Sequence, residues 1–103
     1  MIQPAGISSI KRNLNPQKLE NLAEIFNCIG DPTCLRLIKA LILAQKLCVS
    51  DLAKIAGVSV SAVSHQMRKL KILGLVESER MGQMICYQLK DGEIPMILKE
   101  VLE

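Results

Sequence analysis

Aromatic side chains are nearly missing from this 103-residue chain, which has one Phe, one Tyr and no Trp. Its core must therefore be aliphatic, and 15 Leu and 12 Ile are there to build it. Imidazole is just as scarce. With His65 as the only histidine, a His-rich zinc or nickel site is excluded, and any metal chemistry falls to thiolates. No apolar run approaches the roughly 18 residues of a membrane span. The opening "MIQPAGISSIKRN" lacks the apolar stretch of a secretion signal, so the expectation is a soluble, cytoplasmic protein with no membrane partner. No paired-carboxylate constellation, phosphate loop or second general base beside His65 appears, so no enzyme is expected. What is present is a length that suits one domain and a net charge of +3, with a pI near 8.8. That charge permits a polyanionic partner without demanding one. Four cysteines in a reducing compartment read as free thiols, ligands or redox switches rather than a disulfide framework.

Residues 1–14, with Pro4 and Gly6, show no sustained period and are expected to be a flexible arm; the folded domain is expected over 15–103. Asn15-Pro16 has the form of an N-cap followed by proline at the first helical position. The helix it opens reaches about Asn27 and carries more apolar surface than one neighbour needs. "GDP" at 30–32 breaks the chain. A helix over about Thr33 to Ala44 follows and reads as the central core helix. Next come a two-turn helix with Ser50 as its N-cap and Gly57 in the turn that ends it, and a longer helix capped by Ser59 and closed by Gly74. "LVESER" and "QMICYQL" alternate around Gly82 as a hairpin, with Cys86 beside Met84 on one face. A last helix, about Glu93 to Leu102, is too short to stand alone in water and must dock on something. The expected fold is mainly α with a small β-hairpin wing, about five helices and two strands.

The stretch "SVSAVSHQMRKL", 59–70, carries the functional signal. At a helical period Val63, Met67 and Leu70 face inward, while Ser61, Ser64, His65 and Arg68 face out. Lys and Glu form helices better than Ser or His, so an outer face of this composition does not suit bulk water. It does suit the DNA major groove, which admits one helix and is read by side chains near its N-terminus. Ser59, Ser61, Ser64, His65 and Gln66 offer hydrogen-bonding groups, Gln66 being suited to bidentate pairing with adenine. Arg68, Lys69, Lys71 and Arg80 offer positive charge for phosphate. The short helix, the glycine turn and this helix make a helix-turn-helix, and the hairpin adds a wing. The same architecture also serves as a protein-interaction module.

From "IFNCIGDPTCLRLIKAL" through "LCVSDLAKIAGVSVSAVSHQMRKLKILGLVESERMGQMICYQLKDG" the chain resembles the ArsR/SmtB family of metal- and thiol-responsive repressors. "DPTCLRL", "LCVSDLA", "SAVSHQMRKL", "GLV" and "YQL" match in order and spacing. The resemblance implies a homodimeric winged-helix repressor on double-stranded operator DNA, released by an inducer. Its dimer interface would use the first and last helices, through Leu19, Leu22 and Phe26 with Ile94, Ile97, Leu98 and Val101.

The resemblance also places ligands. Cys48 matches a thiolate position at the start of the short helix, but Ser50 stands where a second cysteine would be, so this motif alone makes no three-sulfur site. Cys48 with Asp51 resembles half of a second type of site, whose other ligands would come from an arm lacking Cys and His. The plain alternative is that Cys48 packs as a small hydrophobe and Asp51 favours the helix N-terminus. At the last helix Asp91 and Glu93 occupy the first two positions of the family's zinc site, but no histidine follows. Cys28 and Cys34 flank the Gly-Asp-Pro turn and, if they approach, can bind a soft metal or oxidise; a partner for Cys48 is expected to be one of these two. No cofactor is fixed by these residues. Arsenic(III), antimony(III) or a soft metal ion on Cys48, Cys34 and Cys28 is the sensing expectation, and cysteine oxidation or no ligand at all is the alternative.

Overall fold

Capping side chains set where the helices begin. In this computed structural model, which describes residues 4–103 and side-chain surroundings from residue 6, Asn15 Oδ1 accepts from the Lys18 backbone N–H at 3.3 Å. It caps α2 (Pro16–Ile29). Asp31 does the same for α3 (Pro32–Ala44), its Oδ2 accepting from Cys34 N at 3.0 Å. Both helices then have proline in the first turn, where a missing N–H costs nothing. Before them, Pro4–Arg12 forms a further helix, α1. Within the expected arm this helix is an element the sequence does not suggest, and residues 1–3 of that arm lie outside the described residues.

A short strand, β1 (Leu47–Cys48), leads directly into α4 (Val49–Ala56). The expected N-cap at Ser50 is displaced to Cys48, because pairing in a sheet holds Cys48 extended at φ −87°, ψ 163°. No side chain caps this start, and Asp51 in the first turn supplies the negative charge that a helix N-terminus favours. Gly57, at φ 70°, ends α4 in the left-handed conformation that a residue with a Cβ avoids. Then α5 (Val60–Ile72) runs into the hairpin of β2 (Val76–Met81) and β3 (Met84–Leu89), and α6 (Glu93–Leu102) closes the chain. The sheet has three antiparallel strands in the order β1-β3-β2, one more than the sequence shows. Two residues are too few for a readable alternation, which is why β1 escapes notice.

The core sits where α3 meets α4, α5 and the sheet. Leu37, Ile38 and Leu41 of α3, Leu52 of α4, and Val63, Met67 and Leu70 of α5 are all fully enclosed. Each such side chain contributes about 1.5–3 kcal/mol of burial, which makes the inward stripe of α5 a structural anchor. α6 docks on α3 through Leu98, and the Lys39 ammonium donates to the Leu102 carbonyl at the C-terminal end of α6. No helix is long and apolar enough to cross a membrane among the described residues.

Candidate nucleic-acid interface and thiol pairs

The turn between α4 and α5 fixes the attitude of α5. Gly57 N–H and Val58 N–H both return to the Ala53 carbonyl, and Ser59 Oγ accepts from Ala62 N at 3.0 Å. Ser59 is thereby committed to capping. With Val63, Met67 and Leu70 buried, Ser61, His65 and Arg68 stand exposed on the opposite face, and Ser64 is half-buried at its margin. Lys69 is exposed on the flank. Gln66 is not part of this outer face. Its Nε2 donates to Cys28 Sγ of α2 at 3.6 Å, so the expected adenine-pairing residue is turned toward the protein.

Lys71 Nζ donates to Ser78 Oγ of β2 at 2.7 Å, which ties the end of α5 to the wing. Arg80 is exposed on the same strand. Acidic neighbours in the wing are engaged: Lys46 Nζ lies 2.6 Å from Glu79 Oε2, and the Gln88 amide donates to Glu77. Sequence reasoning missed Lys46, and a pairing over 33 residues leaves no local signal for it. Of the two acidic residues that weigh against the basic ones in a simple charge count, Glu79 is thus paired with a positive charge.

The cysteines fall into two pairs. Cys48 and Cys86 are opposite each other in the β1–β3 register and form a disulfide. This corrects two expectations. These two are not free thiols, and the partner of Cys48 is Cys86 rather than Cys34 or Cys28. Cys86 is 1% exposed, whereas Met84, two residues before it on β3, is 39% exposed. Asp51, one turn along α4 from Cys48, is exposed. Cys28 and Cys34 remain free, the first half-buried and the second fully enclosed. Burial pushes the Cys34 thiol up to about 12, against the opposing influence of the Gln66 amide, with Cys28 beside it adding to the rise. Asp91 and Glu93 are exposed. Among the described residues, no three His, Cys, Asp or Glu side chains converge on one point.

The family model for bacterial regulatory proteins of the arsR family matches residues 31–78, the span holding the helix-turn-helix and the start of the wing. CadC, the cadmium resistance transcriptional regulatory protein of Listeria innocua, is 34% identical over 82% of this chain and 75% of its own. This chain belongs to the arsR family. A second arsR-type relative, the transcriptional repressor SmtB homolog of Synechocystis sp., is 43% identical over 82% of this chain. The chain spans 63% of that protein's length. The same fold is found in the homodimeric winged helix-turn-helix DNA-binding domain of Mb0332 from Mycobacterium bovis. There the TM-score is 0.77 at 20% identity, covering 86% of this chain and 82% of the other.

Within this arsR-family fold the residues expected at a dimer interface divide. Leu19, Phe26, Ile97 and Val101 are exposed, and Leu22 and Ile94 are half-buried. Leu98 is 7% exposed and packs with the core of its own chain. Met96 is 63% exposed and extends the apolar face of α6 beyond the residues the sequence suggested.

Proposed function

We propose that this chain is a homodimeric, sequence-specific DNA-binding repressor that leaves its operator when a thiophilic agent binds. The observation that carries the reading is the outer face of α5. Ser61, His65 and Arg68 are exposed together on a helix whose opposite side is locked into the core. Small polar side chains let a helix lie close in the major groove, with Ser61, Ser64 and His65 at base edges. Arg68, Lys69, Lys71 and Arg80 lie where phosphates would pass, and they position the protein without reading sequence. Exposed Leu19, Phe26, Ile97 and Val101 supply an apolar face for a second copy, in keeping with the homodimeric relative of the same fold. A thiophilic inducer fits the free thiols and the cadmium named for the CadC relative. The role is regulatory rather than catalytic, and its place is the cytoplasm.

Selection from a pool of random-sequence duplexes, followed by binding at rising salt, tests the reading. A recovered inverted repeat whose affinity falls steeply with salt is the expected result. Failure to select any duplex would instead make this winged helix a protein-interaction module. One observation favours a second mode of control. The Cys48–Cys86 disulfide joins the start of the helix-turn-helix to the wing, so its oxidation state also bears on how the wing meets DNA.

A further inference from the structure

Two large aliphatic side chains, Leu43 of α3 and Ile55 of α4, stand 73% and 53% exposed on the walls of one cleft. Leu35 and Leu47 line it with them, and its volume is about 540 Å³. A single exposed leucine says little, but apolar walls that converge on a space of this size have the form of a small-ligand pocket. Arg36 and Lys39, one turn apart on α3, are its charged lining residues, and none of the lining is acidic. We propose that this cleft binds a single-chain fatty carboxylate. The alkyl chain lies along Leu43, Leu47 and Ile55, and the carboxylate meets Arg36 and Lys39. No cysteine and no residue of α5 lines the cleft, so the proposal stands apart from both the thiol reading and the DNA reading above.

The two cations select the head group. Arg36 Nη2 donates to Thr33 Oγ1 at 3.1 Å, and the Lys39 ammonium donates to the Leu102 carbonyl. Both acceptors are neutral oxygens, which hold a side chain in place without cancelling its charge. The one ion pair among the described residues, Lys46 with Glu79, involves neither cation. The guanidinium and the ammonium thus keep free donors and full charge at the edge of apolar walls. A carboxylate is the acceptor that matches both, and an amine or quaternary head would be repelled there.

The walls select the tail. Apart from Arg36 and Lys39, every lining side chain is aliphatic. No hydroxyl, amide or ring is there to recognise a sugar or a nucleobase, and what such walls reward is the burial of methylenes. The exposure of Leu43 shows that the cleft is open along one side. Each methylene should therefore tighten binding about twofold to threefold, short of the roughly fourfold that complete burial gives. The volume is that of a site for one small ligand, so one chain fits and the paired chains of a diacyl lipid do not.

Isothermal titration of the full chain with decanoate, kept below the concentration at which it forms micelles, tests the site. One decanoate per chain is expected, with affinity rising from octanoate to dodecanoate by about twofold to threefold per methylene. Decanol and decyltrimethylammonium should bind about tenfold more weakly. Arg36→Gln/Lys39→Gln should lose about tenfold, the effect of two partly exposed ion pairs. Leu43→Asp should abolish binding, and circular dichroism checks that both variants fold. Ile72→Ser, at a side chain 85% exposed outside the cleft, should bind as the parent does. A second measurement uses the parent chain alone: nuclear Overhauser contacts should join decanoate methylenes to the methyl groups of Leu43 and Ile55. Absence of saturable binding, equal binding of decanol, parent-like binding by Leu43→Asp, or contacts to other methyl groups overturns the site. If Leu43→Asp alters the sedimentation of the chain and neither protein takes up decanoate, a second copy covers the cleft and the ligand proposal falls.

Discussion

Cys48 stands directly opposite Cys86 in the antiparallel register of β1 and β3, and a disulfide joins them across 38 residues of sequence. The bond closes a loop that contains all of α4 and α5, so it constrains the unfolded chain over the whole DNA-reading unit. Closing a loop of that size is worth about 3–4 kcal/mol in the chain-entropy description. Reduction, or Cys86→Ser, should lower the urea midpoint and raise the m-value somewhat, because the unfolded chain without the cross-link exposes more surface. Equal midpoints for oxidised and reduced protein would contradict this.

A second prediction separates residues that read bases from residues that hold phosphate. Ser61→Ala and His65→Ala should each cost about 1–3 kcal/mol on the selected operator and little on random duplex. Lys69→Ala should weaken binding to every sequence and reduce the salt slope by about one. Gln66→Ala should leave base preference intact, since its amide is directed to Cys28. Fluorescence anisotropy on matched and scrambled duplexes distinguishes these outcomes. A His65 variant that loses both duplexes equally rejects the assignment.

Much of the helical skeleton was legible from its punctuation: Asn15 and Ser59 accept from the third residue on, as their positions suggest, while the Asp31 cap lay inside what reads only as a break. The outer face of α5 was legible for a related reason, since three buried positions at a helical period fix the other side. Long-range features were not. β1 is a two-residue strand whose existence depends on β3, far along the chain. Without β1 there was no way to place Cys48 beside Cys86, or to see why α4 starts before Ser50. Gln66 sits on the boundary between the two faces of α5, where a period alone cannot say which neighbour wins. Leu98 shares its stripe with Ile97 and Val101, and docking on α3 decided which of them is buried.

That division of α6 yields a third prediction. On the proposed dimer, Ile97→Asp or Val101→Asp should produce folded monomers, because both side chains are exposed in the single chain. Leu98→Ala should instead destabilise the fold itself by about 2–5 kcal/mol, the usual loss for an enclosed leucine. Sedimentation combined with circular dichroism tells the two apart. A wild-type monomer at micromolar concentration would dispose of the dimer proposal.

The last prediction concerns Cys34 and alkali. Its thiol is held protonated in the fold, up to about 12 against an ordinary value of 9.0, chiefly by burial. In the unfolded chain the thiol ionises near that ordinary value. The sign follows from proton counting: above about pH 9 the unfolded state binds fewer protons than the native state, so stability falls as pH rises. The contribution is fully present below that pH, and it is lost progressively as pH climbs through the interval up to the folded value. Alkali acts on the rest of the chain as well, so the informative quantity is a difference. Urea unfolding of the parent and of Cys34→Ala should show a gap that is constant from about pH 6 to 8 and then shifts against the parent above about pH 9. Alanine has no proton to lose, so the variant lacks this part of the alkaline decline. A gap that stays constant through pH 10 would mean that the Cys34 thiol ionises as easily in the fold as outside it, and that burial does not hold its proton.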